Sequence, residues 1–470
     1  LMSRTGIEFV DFEQKHWDIN HWVRGACLYG VMPANGLIYA PPHPCACYLE
    51  AKLSGFNALA PASRAESRKP KAQDGNPKAE KENPKAEQSP RLQRGPAFSP
   101  IPSPQSPVPS PTDWPTYRHD PARSGRASTP VGDGLRRDWE VALGGRLTSP
   151  VIAEGRLFVA DTATHAVHAL DAGSGRRLWS YTAGGKVDSP PTIWQGRVLF
   201  GSADGWVYCL RADDGVLAWR FRVAPSDEQL VAFDQVESVW PVHGSVLVEN
   251  GVAWCVAGRS AFLDGGMTLW RLDPRTGEAL SQTVLDDKDP QSGKDLQAYV
   301  SWLNMPTALP DILSTDGRLV YMRSQPFAMD GKRLPLVPMP RGKSADQGAP
   351  PPTQYREHLH LFSPTGFLDD TWWHRTYWLY GSTFVSGWCG YYLAGQAAPA
   401  GRILVFDDQR VYGFGRKPKY YRWTTPKEDH LFAAEKIAPP PAQESDAAAK
   451  PSRVKVPKSP SLNPAKSPWS

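Results

Sequence analysis

The chain says nearly the same thing twice. "VHALDAGSGRRLW" runs from Val167 to Trp179, and forty residues on "VYCLRADDGVLAW" runs from Val207 to Trp219, with Leu, Gly and Trp in step. A period of this length constrains the fold more than composition does, because each unit must be one supersecondary block stacked on its neighbours. Units begin at Leu147, Val187, Ser238 and Thr307, and more weakly at Ala398. Each has proline at its lead-in, then a short apolar strand and a turn: Glu154-Gly155, Gln195-Gly196, Asn250-Gly251 or Asp316-Gly317. An alternating strand follows, then a second turn, clearest at Ala203-Asp204-Gly205. A third strand then leads to a turn at Gly175, Gly215 or Gly277.

Short runs rich in Val, Tyr and Trp, broken by glycine turns about every ten residues, are antiparallel hairpins. Four strands per unit of about forty residues is the blade of a β-propeller. The expected fold is therefore all-β, a propeller of about six to eight four-stranded antiparallel blades. No amphipathic helix of three turns is legible between Asp113 and Lys436.

"ALDAGSGRRLW", "LRADDGVLAW" and "RLDPRTGEAL" resemble the A-x-D-x-x-T-G-x-x-x-W repeat of quinoprotein-type, or PQQ-like, propellers. That family includes quinone-dependent alcohol and glucose dehydrogenases. It also includes proteins with the same repeat and no quinone, such as the propeller lipoprotein that helps assemble bacterial outer-membrane barrels. The resemblance runs from Asp113 to about Lys436 and is closest up to Leu285; the last two repeats lack the full motif. It implies that Gly175, Gly215 and Gly277 form turns, and that Trp179 and Trp219 dock one blade on the next. Asp171 and Asp213 are expected to accept backbone N–H bonds at those turns. "DWPTYRHDPARSG", Asp113 to Gly125, resembles the segment preceding the first blade in large envelope propellers, which implies that it lends the last blade an outer strand.

Domain boundaries follow composition. Residues 1–62 read as the end of a preceding propeller or as a ring-completing segment, and their opening in mid-pattern suggests a missing upstream part. Residues 63–112 and 437–470 are rich in Pro and poor in aromatic and β-branched residues, the composition of disorder. Residues 113–436 are the propeller. Charge is divided the same way. Residues 63–94 hold nine Lys and Arg against five Asp and Glu, and residues 437–470 hold five against two. With a net charge of +5 for the whole chain, the remainder is negative, so a basic nucleic-acid groove is not expected. No apolar run approaches the ~18 residues that cross a bilayer.

Cys209 and Cys255 lie in apolar runs and read as buried, inert thiols. Cys27, Cys45 and Cys47 admit one disulfide plus a thiol, three thiols or, with His43, a metal site of unusual spacing.

Two functions compete. A quinone-dependent alcohol or sugar dehydrogenase needs pyrroloquinoline quinone, Ca²⁺ held by oxygen ligands and an acidic base. The chain lacks the adjacent Cys pair of the alcohol-oxidising branch and has no C-x-x-C-H haem motif, although the sugar-oxidising branch lacks both too. The reading adopted is a non-catalytic binding or scaffolding module, monomeric, without cofactor, metal or catalytic residues. It is placed in the periplasm or cell envelope, or secreted, with another envelope protein, a saccharide or a peptide as partner. Function on a rigid ring sits in loops that do not repeat. The candidates are Glu237, Trp240 and His243 in "AFDQVESVWPVHGS", a position that the resemblance implies faces the central channel, and Asp369, Asp370, His374 and Arg375 in "GFLDDTWWHRTYWLYG". The stretch from Gln325 to His358 is too Pro-rich to fold alone and is expected to lie over one face or remain disordered.

Overall fold

The computed structural model describes residues 6–20, 23–25, 30–41, 56–60, 90–99, 110, 112–232, 235–293, 308–310, 312–336, 358–363, 378–382, 398–416 and 429–436. Among them every regular element is a strand, and every pairing of strands is antiparallel. Six blade-like sheets follow one another. The first three run from Val151 to Thr182, from Thr192 to Arg222 and from Leu247 to Leu285, each built from four consecutive strands. The next three, Leu313–Ala328, His360–Gly401 and Ile403–Glu435, have three described strands each. A two-stranded hairpin, Gln229–Ala232 with Gln235–Ser238, projects between the second and third blades.

The period-two alternation of a strand explains how these blades stack. In the second blade Val198, Phe200, Tyr208 and Leu210 face the first blade, where they join Phe158, Val167 and Ala169. The intervening Leu199, Val207 and Cys209 face the third blade and meet Ala253, Cys255 and Trp270. The third blade repeats the division, sending Leu247, Trp254, Val256 and Leu269 toward Val320, Met322 and Phe327 of the fourth. Both faces of a blade are thus core, which is why its strands read as nearly continuous apolar runs. Cys209 and Cys255 are free and buried, and burial pushes the Cys209 thiol up to about 12. Cys27, Cys45, Cys47 and Cys389 lie outside the described residues.

The repeat's tryptophans sit on the next blade's glycines. Trp179 donates its indole N–H to the Ala212 carbonyl at 2.9 Å, and a Cβ on Gly215 would meet its ring at 2.6 Å. Trp219 stands in the same relation to Pro274 (3.2 Å) and Gly277 (2.6 Å). Trp139, which the sequence reading passed over, does the same with Ala172 (3.1 Å) and Gly175 (2.5 Å). Trp139, Trp179 and Trp219 are spaced at intervals of forty, so the signal was present. Gly215 has φ of +72°, a region that L side chains rarely adopt. Gly215→Ala therefore combines strain with a clash on Trp179, and should cost about 2–3 kcal/mol by urea unfolding.

Three expectations need correction. Asp171 accepts the Ser174 N–H at 2.8 Å, but in the second blade Arg211 stands at the matching position, and Asp214, in the place of Ser174, accepts the Val216 N–H at 3.2 Å. Asp213 instead reaches back to Arg156 of the first blade at 2.8 Å. Residues 63–112 are not uniformly without structure: Leu92–Arg94 pairs with Leu217–Arg222 as a fifth strand of the second blade, because Leu92 and Phe98 find apolar cover there. Gln325–Ala328, the start of the Pro-rich stretch, is a strand of the fourth blade, with Pro326 opposite Tyr321. Residues 7–59 hold a hairpin, Ile7–Asp11 with His16–Asn20, and a three-stranded sheet packed around Ile7, Val23 and Ala40.

Candidate functional site

In a propeller the axis and its two mouths are the natural places for function, since the first strands of all blades converge there. Here the axis is filled by Asp113–Gly125. The segment does not add an outer strand to the last blade, as its resemblance implied. It runs against first strands around the ring. Trp114 bridges Ile152 of the first blade, with N–H to carbonyl bonds of 2.6 and 2.9 Å. The Pro115 carbonyl accepts the Ile193 N–H of the second blade at 2.7 Å, and the Thr116 and Thr192 hydroxyls lie 2.9 Å apart. The Pro121 carbonyl accepts from Thr315 of the fourth blade at 3.2 Å, and the Ser124 carbonyl accepts from Phe406 of the sixth at 3.1 Å.

Arg123 pins the segment. Its side chain is fully buried, donating Nε–H to the Leu313 carbonyl at 2.9 Å and Nη1–H to the Tyr117 carbonyl (2.9 Å) and the Thr116 hydroxyl (3.0 Å). Burial lowers its pKa to about 10, which leaves it charged at neutral pH. Arg118, His119 and Arg123 all have positive φ, at 57°, 80° and 62°. Such strain persists only where surrounding contacts over-determine the backbone. Arg118 supplies some of those contacts by donating to the Arg123 and Leu404 carbonyls and lying 4.3 Å over the Trp378 ring.

At the mouth where strands enter, two of the sequence candidates are brought together but sealed from solvent. His243 Nδ1 lies 2.7 Å from Asp188, which also holds Lys186 at 3.1 Å. Glu237 pairs with Arg259, whose other nitrogen lies 3.4 Å from His243 Nε2. Glu237 and His243 are each 1 % exposed, so neither presents a loop-face group to a ligand. Trp240 donates its indole N–H to the Asp264 carbonyl at 2.9 Å. Asp369, Asp370, His374 and Arg375 lie outside the described residues. The sequence reading missed Asp188 and Arg259, because their partners His243 and Glu237 stand fifty-five and twenty-two positions away and leave no local pattern; Lys186 was missed with Asp188, two positions from it.

Burial alone would raise the Asp188 carboxyl, but the His243 and Lys186 partners more than offset it and hold it below the ordinary carboxylate value. A carboxyl lowered in the folded state contributes stability above its unfolded pKa and loses it as pH falls through the folded value. Stability should therefore drop below about pH 4. Asp188→Asn should flatten that acid limb and cost about 1–3 kcal/mol at pH 7, as read by urea unfolding at both pH values.

At the opposite mouth, where each first strand turns into its second, the axial segment leaves two clefts. One, of about 390 Å³, is lined by Asp113, His119, Asp120, Thr192, Trp194 and Val248. The other, of about 300 Å³, lies between Asp120, Ser124, Arg126, Phe406 and Asp408. His119 and Asp120 form the wall they share, with His119 Nδ1 3.3 Å from Asp120 Oδ2 and the Trp114 ring edge-on to the imidazole at 5.2 Å. This mouth is acidic. Burial and the Asp120 charge raise the Glu249 pKa, and burial raises that of Glu154. Ser124 donates its hydroxyl to the same Asp120 oxygen. The carboxylate, not the imidazole, thus holds the hydroxyl, which reverses the order that lets a base activate a nucleophile. The arrangement is suited to binding polar groups beside an aromatic wall.

Residues 126–301 match the family model described as outer membrane protein assembly factor BamB. The repeats are PQQ-like propeller repeats. A DNA damage-responsive serine/threonine-protein kinase, RqkA, of Deinococcus radiodurans is 34% identical over 116 residues, 23% of this chain and 17% of that one. The dehydrogenase subunit of a quinone alcohol dehydrogenase from Gluconobacter oxydans is 30% identical over 125 residues, 23% of this chain and 16% of that one. The chain therefore spans about a sixth of the length of either relative. Among solved structures, BamB from Moraxella catarrhalis aligns at 15% identity and TM-score 0.30, covering 56% of this chain and 67% of that one. Quinohemoprotein alcohol dehydrogenase from Comamonas testosteroni aligns at 18% identity and TM-score 0.38, covering 59% and 48%. Matches this short, to proteins named for different activities, carry neither activity to this chain.

The quinone of such dehydrogenases, with Ca²⁺, requires free hard-oxygen donors beside a flat slot. At the strand-lead-in mouth the described carboxylates are engaged except for one oxygen, the buried Oε2 of Glu237, and among the described residues no three His, Cys, Asp or Glu side chains are gathered to hold a metal ion. Asp188 and Glu237 are paired as above, Asp161 accepts the Ala163 N–H at 3.0 Å and the Thr164 hydroxyl at 2.8 Å, and Asp204 accepts the Tyr208 hydroxyl. Below them the axis holds Arg123, Thr116 and Tyr117. The described residues do not fit the group.

Proposed function

We propose that the chain is a non-catalytic PQQ-like propeller acting as a binding or scaffolding module in the bacterial cell envelope. The observation that carries the reading is the filled axis. Asp113–Gly125 occupies the space where the blades converge, and the ionisable groups at one mouth are committed to one another. The BamB description of the matching family supports the envelope setting and a role among protein partners. Another envelope protein, a saccharide or a peptide is the partner class, met by non-repeating loops; Asp369, Asp370, His374 and Arg375 remain assigned to it. The match to a quinone alcohol dehydrogenase subunit keeps a dehydrogenase as the second reading.

Incubation with pyrroloquinoline quinone and Ca²⁺ separates the two. The binding module takes up no quinone and reduces no dye with alcohols or aldoses. Stoichiometric quinone uptake with substrate-dependent dye reduction would establish the dehydrogenase instead.

A further inference from the structure

Among the described residues, the second blade differs from the first and third in having a strand paired along its outer edge. Blade edges present unpaired N–H and C=O groups, a template for an added strand. Here the added strand is Leu92–Arg94, whose register places Leu92 opposite Phe221, Gln93 opposite Arg220 and Arg94 opposite Trp219. Further backbone bonds extend the pairing. Arg222 N–H donates to the Arg91 carbonyl at 2.8 Å, Gly95 N–H to Ala218 at 2.8 Å and Ala97 N–H to Leu217 at 3.0 Å.

Side chains give this edge a sequence preference. Arg91 donates to the Arg222 and Ala224 carbonyls at 2.9 and 3.0 Å and lies 5.4 Å over the Trp270 ring. Leu92, Ala97 and Phe98 pack on the apolar cluster shared by the second and third blades, with Leu92 beside Trp219 at the Gly277 turn. Gln93 accepts from Arg220 Nε at 2.8 Å. At Gly95 any side chain would collide with the Leu217 carbonyl. The occupant then folds back. Phe98 N–H bonds the Gly95 carbonyl at 3.0 Å, and the Arg94 guanidinium lies 4.5 Å over the Phe98 ring. Arg197 closes the far end on the Ser99 carbonyl at 2.8 Å.

We propose that the outer edge of the second blade is a docking groove for an extended peptide of the pattern Arg-Leu-polar-Arg-Gly followed three residues later by Phe. Residues 91–99 are its resident, displaceable occupant. The occupant lies on the ring's exterior, and removing it leaves four strands, as in the first and third blades. This is strand addition, in which main-chain bonds supply affinity and alternate side chains supply specificity. A tethered occupant acts at an effective concentration of about millimolar, so a free peptide competes poorly until the resident strand is ejected. The groove does not depend on the axis or the loops, so its failure would leave the binding-module reading standing.

The test uses a fluorescein-labelled peptide of residues 88–100, fluorescence anisotropy, and the full chain with and without Gly95→Val. The variant should eject its own strand and bind the peptide at least about tenfold more tightly than the unaltered chain. The peptide carrying the same Gly95→Val change should not bind. Leu92→Asp, placed in the chain, vacates the groove by a different route and should reproduce the gain. The proposal is overturned if neither folded variant binds the peptide, if the altered peptide binds as well as the original, or if the unaltered chain binds as tightly as the variants.

Discussion

Trp219→Ala should destabilise the protein by about 3–5 kcal/mol, the range for removing a fully buried large aromatic side chain. Trp219 is 0 % exposed because three elements enclose it: its own blade, the Gly277 turn of the next, and Leu92 of the added strand. Its indole N–H also reaches the Pro274 carbonyl. Trp219→Phe keeps most of the ring and loses that bond, and should cost about 1–3 kcal/mol, cavity included. Trp179 is only half-buried, without an added strand over it, and Trp179→Ala should cost less. Urea unfolding of the three variants reads the order. Equal costs at Trp179 and Trp219 would contradict the part assigned to Leu92.

The second large effect lies in the axis. Arg123→Ala should cost roughly 3 kcal/mol or more, since the Leu313 and Tyr117 carbonyls each lose a donor at about 1–3 kcal/mol and a cavity opens beside them. Arg123→Lys keeps the charge but cannot span three acceptors from one planar fork, so it should recover only part of the loss. Because the axial segment ties first, second, fourth and sixth blades together, Arg123→Ala should also make residues 113–125 accessible to trypsin at Arg118 under native conditions. A loss under about 1 kcal/mol with unchanged digestion would contradict the clasp.

The blades were legible in sequence because a strand's alternation is local. Val198 and Phe200 announce one face of the second blade, Leu199 announces the other, and Gly215 with Trp219 announces the junction. The axial segment was recognised as a unit from "DWPTYRHDPARSG", but its position was not. Its partners, Ile152, Ile193, Thr315 and Phe406, are spread over more than 250 residues, and no local period records that convergence. The added strand was hidden for a related reason. Leu92, Gly95 and Phe98 are too few to announce a core element amid prolines, and they become meaningful only against the edge of Leu217–Arg222. Glu237 and His243 were singled out for their chemistry, yet the residues that engage them, Arg259 and Asp188, stand in other loops.

Native-state hydrogen exchange of residues 113–125 and their partners tests the central claim, that this segment fills the propeller axis. The amide hydrogens of Trp114, Ile193, Thr315 and Phe406 bond across the segment's boundary. They should exchange as slowly as those of the second blade's strands, near the rate set by global unfolding. Exchange of Trp114 and Ile193 within seconds, while the second blade stays protected, would mean that the axis is open and the account is wrong.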